Sequence, residues 1–81
     1  MKLNQLIAKR TKQLLRRYAW SQYELAIRGA IPFSTLSYIV NCKCKTVSSE
    51  TLLNICRGFG ITLGDFFGVE LFELENIEDN D

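Results

Sequence analysis

Three times along this chain an apolar residue stands before a hydroxyl residue, and a second apolar residue follows four positions after that hydroxyl: Trp20-Ser21 with Leu25, Val47-Ser48 with Leu52, and Ile61-Thr62 with Phe66. In each case the hydroxyl can accept a hydrogen bond from a free N–H of a first helical turn while the apolar pair closes over it. Glu24 stands where a capping box with Ser21 needs a carboxylate. Glu50 lies in the first turn of its segment, where the helix dipole favours negative charge. Helix starts at these three places predict a chain of short helices, an all-α fold.

The apolar spacing agrees. Leu3, Ile7, Thr11, Leu14 and Tyr18 recur at steps of three or four, which predicts one amphipathic helix from Leu3 to Tyr18 with basic residues on its other faces. A second helix starts at Ser21. Gly29-Ala30-Ile31-Pro32 reads as a turn, because proline fixes φ, lacks an N–H and suits a helix start, so a third helix is expected from about Phe33. There Leu36, Ile39 and Val40 share one face, while Phe33, Ser34, Ser37, Tyr38 and Asn41 share the other. That second face carries no charge, and Lys43 and Lys45 come directly after it. A fourth helix is expected from about Ser48 to Gly58 or Gly60, either of which can supply a left-handed C-terminal residue. A short fifth follows Thr62.

At 81 residues and 47% hydrophobic content, one small domain is expected and no second one. Lys9, Arg10, Lys12, Arg16 and Arg17 break up the first apolar stretch, so it reads neither as a membrane span nor as a signal peptide. The expectation is a soluble, cytoplasmic protein. Three cysteines and no histidine argue against a disulfide scaffold and against a structural zinc site, and Cys56 among Leu52, Ile55 and Phe59 reads as a core thiol. Without histidine the commonest general base is absent. No glycine-rich phosphate loop follows a strand, and outside the tail the carboxylates are Glu24, Glu50 and Asp65, each placed as a helix start would want. Neither an enzyme nor a bound cofactor or metal is expected.

The formal net charge of +1 hides two opposite regions. Residues 1–69 hold all ten Lys and Arg against three acids, a formal +7, whereas residues 70–81 hold six acids and no base. A compact domain of that positive charge attracts a polyanion, and nucleic acid is the first candidate.

Two short helices joined by a tight turn, the second with a polar face followed by lysines, describe a helix-turn-helix. The run SQYELAIRGAIPFSTLSYIVNC from Ser21 to Cys42 resembles the Cro and phage-repressor type helix-turn-helix family. The similarity covers residues 7–67. SQxxLA at Ser21, IPxSTLSxI at Ile31, SxxTLLxIC at Ser48 and GITLGDFF at Gly60 fall in family order. The resemblance implies a compact five-helix lambda-repressor-like DNA-binding domain at residues 1–68 with a short acidic extension at residues 69–81. It departs from the family at Ala30 and Cys42, where glycine is usual; both positions can take left-handed backbone, which disfavours a Cβ by about 1 kcal/mol.

What the resemblance implies for function is specific. The third helix would enter the major groove of double-stranded DNA, with Phe33, Ser34, Ser37 and Tyr38 toward bases and Gln22, Thr35, Asn41, Lys43 and Lys45 toward the sugar-phosphate backbone. Phe33 and Tyr38 can pack on a thymine methyl, and Ser34 can bond a base edge. Arg10, Arg16, Arg17 and Arg28 would widen the basic footprint. No Arg, Asn or Gln precedes Asn41 on the reading face, so the bidentate code that would reveal the operator is missing. The expected protein is a transcriptional regulator, a repressor by resemblance, acting as a homodimer on DNA. In the tail, Val69, Leu71, Phe72, Leu74 and Ile77 alternate with acids, and neither strand nor helical turn is excluded. The tail is expected to pack on the core and fray at Asp79 to Asp81, to serve dimerisation, or to compete with DNA for the basic face. An antitoxin that uses the tail on a protein partner is the alternative reading.

Overall fold

The computed structural model describes residues 1–78. Five helices follow in order: α1 (Leu3–Tyr18), α2 (Gln22–Gly29), α3 (Phe33–Val40), α4 (Ser49–Phe59) and α5 (Leu63–Phe67). Two single 3-10 turns, Glu70–Phe72 and Leu74–Asn76, follow α5. The fold is all-α. Among the described residues no helix is long and apolar enough to cross a membrane.

The starts are built as the caps predict. Ser21, Ser48 and Thr62 each accept from the backbone N–H three residues on, at 3.1, 3.1 and 3.0 Å. Thr62 and Asp65 form a full capping box. At α2 only half a box forms, because the Glu24 carboxylate turns to Arg28 at 3.0 Å instead of back to its own cap.

Four of the five helix ends share one device. Ala19, Ala30, Cys42 and Gly60 all take left-handed backbone, with φ of 57, 53, 57 and 72°. In each, the left-handed residue's N–H reaches back three residues, and the next residue's N–H reaches back five, as from Ile31 to Ala26 O at 2.9 Å and from Lys43 to Tyr38 O at 2.9 Å. This paired bonding satisfies carbonyls that the helix end would otherwise leave open. The fourth helix therefore ends at Gly60, not Gly58. Gly58 lies inside α4 and lets α2 pass close: a Cβ there would sit 2.8 Å from Leu25 Cδ1 and 3.1 Å from Gly29 N.

Leu14, Leu25, Leu36, Ile55 and Phe66 form the centre of one core to which all five helices contribute. Burying each such side chain stabilises by about 1.5–3 kcal/mol. Thr11, fully buried on the inner face of α1, donates its hydroxyl to Ile7 O. At one end Trp20 stacks on Phe59 at 5.6 Å with Tyr18 edge-on to both rings.

Among the described residues, the segment after α5 is neither strand nor α-helix. Phe72 packs edge-on against Phe67 at 4.8 Å, and Glu78 pairs with the N-terminal ammonium at 2.9 Å while its N–H donates to Met1 O. That ammonium bond holds the exposed Glu78 carboxyl below its ordinary range. Between this segment and α1 lies an open concavity of about 660 Å³ lined by Lys9, Gln13, Glu70 and Glu75 among others. The fraying expected at Asp79 to Asp81 falls outside the described residues.

Candidate nucleic-acid interface

The turn between α2 and α3 sets the site. Ala30 reverses the chain in left-handed backbone, Ile31 anchors it in the core, and Pro32 stands as the N-cap of α3. α2 rests on α4 through the Gly29–Gly58 crossing, so the pair of helices is held on a rigid base. α3 then buries Leu36, Ile39 and Val40 and turns its other side to solvent.

That outer side carries Phe33, Ser34, Thr35 and Tyr38, all exposed, with Ser37 half-buried. Phe33 is 49% and Tyr38 59% exposed, a large aromatic surface to leave in water. Asn41, at the C-terminal end, donates its amide to Ser37 Oγ at 3.2 Å. Lys43 and Lys45 project from the loop that follows. Gln22 is half-buried in the first turn of α2, beside N–H groups that have no helical acceptor. The structure thus leaves the uncharged outer face of α3 open to solvent, with the exposed Lys43 and Lys45 following it in the chain and Gln22 half-buried at the start of α2.

The Cro/C1-type HTH DNA-binding domain family matches residues 2–71, spanning all five helices. The chain belongs to that family. Among curated proteins and solved structures, none matches significantly. Membership of the Cro/C1-type family makes the chain a DNA-binding regulatory domain that takes double-stranded DNA as its partner.

Within this Cro/C1-type domain one basic residue is not surface. Arg10 is only 7% exposed; its Nε donates to Phe66 O and its guanidinium NH2 group to Asp65 O, both at 2.8 Å. It satisfies carbonyls of α5 and does not widen the footprint, correcting the expectation from sequence. Burial, then repulsion from Arg17, pulls its pKa down. Arg28 is also committed, to Glu24 and to the Trp20 ring at 4.3 Å. Arg16 and Arg17 remain exposed in the last turn of α1.

Sequence reasoning missed two exposed apolar residues on α2, Tyr23 at 65% and Ile27 at 59%. Their i, i+4 spacing, out of phase with the buried Leu25 and Ala26, was the signal. Tyr23 reaches α3: its ring centroid lies 6.2 Å from that of Phe33.

Proposed function

We propose that this chain is a sequence-specific transcriptional repressor that reads a two-fold operator as a homodimer. The observation that carries it is the exposed, uncharged outer face of α3, followed in the chain by the exposed Lys43 and Lys45. A helix with such a face can lie between two phosphate strands without charge repulsion from its own acids, and the flanking cations replace the counterions that DNA releases.

In this reading Ser34 and Ser37 exchange hydrogen bonds with base edges, and Phe33 and Tyr38 make apolar contact, with the Tyr38 hydroxyl free to bond. Gln22, Thr35, Asn41, Lys43 and Lys45 hold the backbone and set register. Symmetric pairing places two such helices about one DNA turn apart, roughly 10 base pairs, which predicts a palindromic site. Repression follows if that site overlaps a promoter.

Selection from random duplex DNA at two salt concentrations tests this. The expected product is a palindrome bound by two chains. Ser34→Ala and Tyr38→Ala each weaken specific binding by about 1–3 kcal/mol, whereas Lys43→Ala weakens all sequences alike and lowers the salt slope by about one. Specific binding that survives the Ser34→Ala, Tyr38→Ala double variant undiminished overturns the reading.

A further inference from the structure

No side chain of the outer α3 face can make the paired hydrogen bonds by which Arg, Lys, Asn or Gln single out a base. The residues are Phe33, Ser34, Thr35, Ser37 and Tyr38; Asn41, just past the helix end, gives one amide hydrogen to Ser37 Oγ. From α3 itself, sequence is then read through single hydroxyl bonds and apolar contact. In the major groove the one base feature that apolar contact reads directly is the C5 methyl of thymine.

An apolar element suited to it stands where α2 meets α3. Phe33 is the first residue of α3 and Tyr23 the second of α2. Their rings lie 6.2 Å apart, tilted by 55°, within the range of direct aromatic contact. Tyr23 is 65% and Phe33 49% exposed, and neither belongs to the core cluster. Core packing therefore does not account for them. Gln22 precedes Tyr23 and Ser34 follows Phe33, so the two rings form one ledge between the phosphate side of the site and its base-reading side.

We propose that Tyr23 and Phe33 together form a methyl-reading ledge that selects a 5-methylpyrimidine, thymine, at one fixed position of each half-site. Phe33 meets the methyl; Tyr23, on the other helix, braces the Phe33 ring and extends the apolar surface. The ledge rests on the groove-docked reading above. It makes Tyr23 a specificity-determining residue and the target of the site a methyl group rather than a hydrogen-bond pattern.

The test uses the full chain and the operator obtained by selection, with each thymine replaced in turn by deoxyuridine, which differs only by the methyl. At one thymine per half-site, wild type is expected to lose about fourfold in affinity, the worth of one buried methyl. Placing 5-methylcytosine rather than cytosine at that position recovers a similar factor. In Phe33→Ala the thymine and deoxyuridine duplexes bind equally, in Tyr23→Ala the ratio shrinks, and in Tyr23→Phe it stays. Both residues lie outside the core, and circular dichroism verifies that the variants remain folded. Equal wild-type binding of thymine and deoxyuridine at every position overturns the proposal, as does an unchanged ratio in either alanine variant. If an operator emerges and Ser34→Ala and Tyr38→Ala weaken it while the methyl ratio is one, the ledge alone fails; if selection enriches no sequence, groove reading fails and the ledge with it.

Discussion

A left-handed residue ends four of the five helices, and only Gly60 among the four lacks a Cβ. Left-handed backbone costs a Cβ-bearing residue about 1–2 kcal/mol, part of which glycine would return by its freedom in the unfolded chain. Ala30→Gly and Cys42→Gly are therefore expected to stabilise the fold by up to about 1 kcal/mol each, raising the melting midpoint by a few degrees. Gly60→Ala should lower it by a similar amount, although nothing lies within 4 Å of the added methyl. Thermal melts followed by circular dichroism decide both signs. Arg10 belongs to this scale too. Replacing it with Met leaves the Asp65 and Phe66 carbonyls without their donor, a loss of about 2–4 kcal/mol in denaturant unfolding. The thiols should separate by exposure: an alkylating reagent followed by mass spectrometry is expected to modify Cys42 in the folded protein. Cys56, buried and with its pKa pushed up by that burial, should react only on unfolding. Because its folded pKa is raised, the stability it contributes is present below the unfolded thiol's pKa and is lost as pH rises above about 9.

Among the elements, the decisive contact is the crossing of α2 over α4. A Cβ at Gly29 would stand 2.6 Å from Asn54 O, and one at Gly58 would press on Leu25 and on the backbone of Gly29. Two backbones at this distance cannot part without tilting α2, and α3 is hung from α2 through the four-residue reversal at Gly29 to Pro32. Gly58→Ala is expected to cost about 1–3 kcal/mol, the usual penalty for overpacking. It should also weaken specific DNA binding more than non-specific binding, since phosphate contacts tolerate a small tilt and base contacts do not. Parallel measurement of operator and random-duplex affinities separates the two effects.

At the level of the whole molecule, the charge asymmetry acquires a geometry. The acidic segment lies along α1 near Lys9 and Gln13 and closes on the N-terminus through Glu78, while Lys43 and Lys45 follow α3. The molecule measures 33 × 23 × 20 Å, and exposed charges farther apart than about 8–10 Å are largely screened from one another at physiological salt. Exchanging Glu70, Glu73 and Glu75 for Gln is thus expected to raise non-specific DNA affinity in very dilute salt and to change it little near physiological salt, as fluorescence anisotropy titrations would read. Cutting the chain after Gly68 is a different experiment, because it also removes Phe72 from Phe66 and Phe67 and should lower the melting midpoint.

Helix starts were legible in the sequence because a cap is a local event: Ser21, Ser48 and Thr62 bond to N–H groups three residues away, and no distant contact is needed to place them. The α3 faces were legible for the same reason, since helical periodicity alone divides Leu36, Ile39 and Val40 from Ser34 and Tyr38. Left-handed ends at Ala30 and Cys42 were visible as departures from glycine, but Ala19 was not, because nothing in its local chemistry marks it. Three things only the tertiary structure decided. Arg10 is a core donor and not a surface cation because α5 folds back over α1; Gly58 is a packing glycine because α2 crosses there; Tyr23 and Phe33 meet because the starts of α2 and α3 come together. Each depends on which elements lie against one another, and short-range propensity carries no information about that.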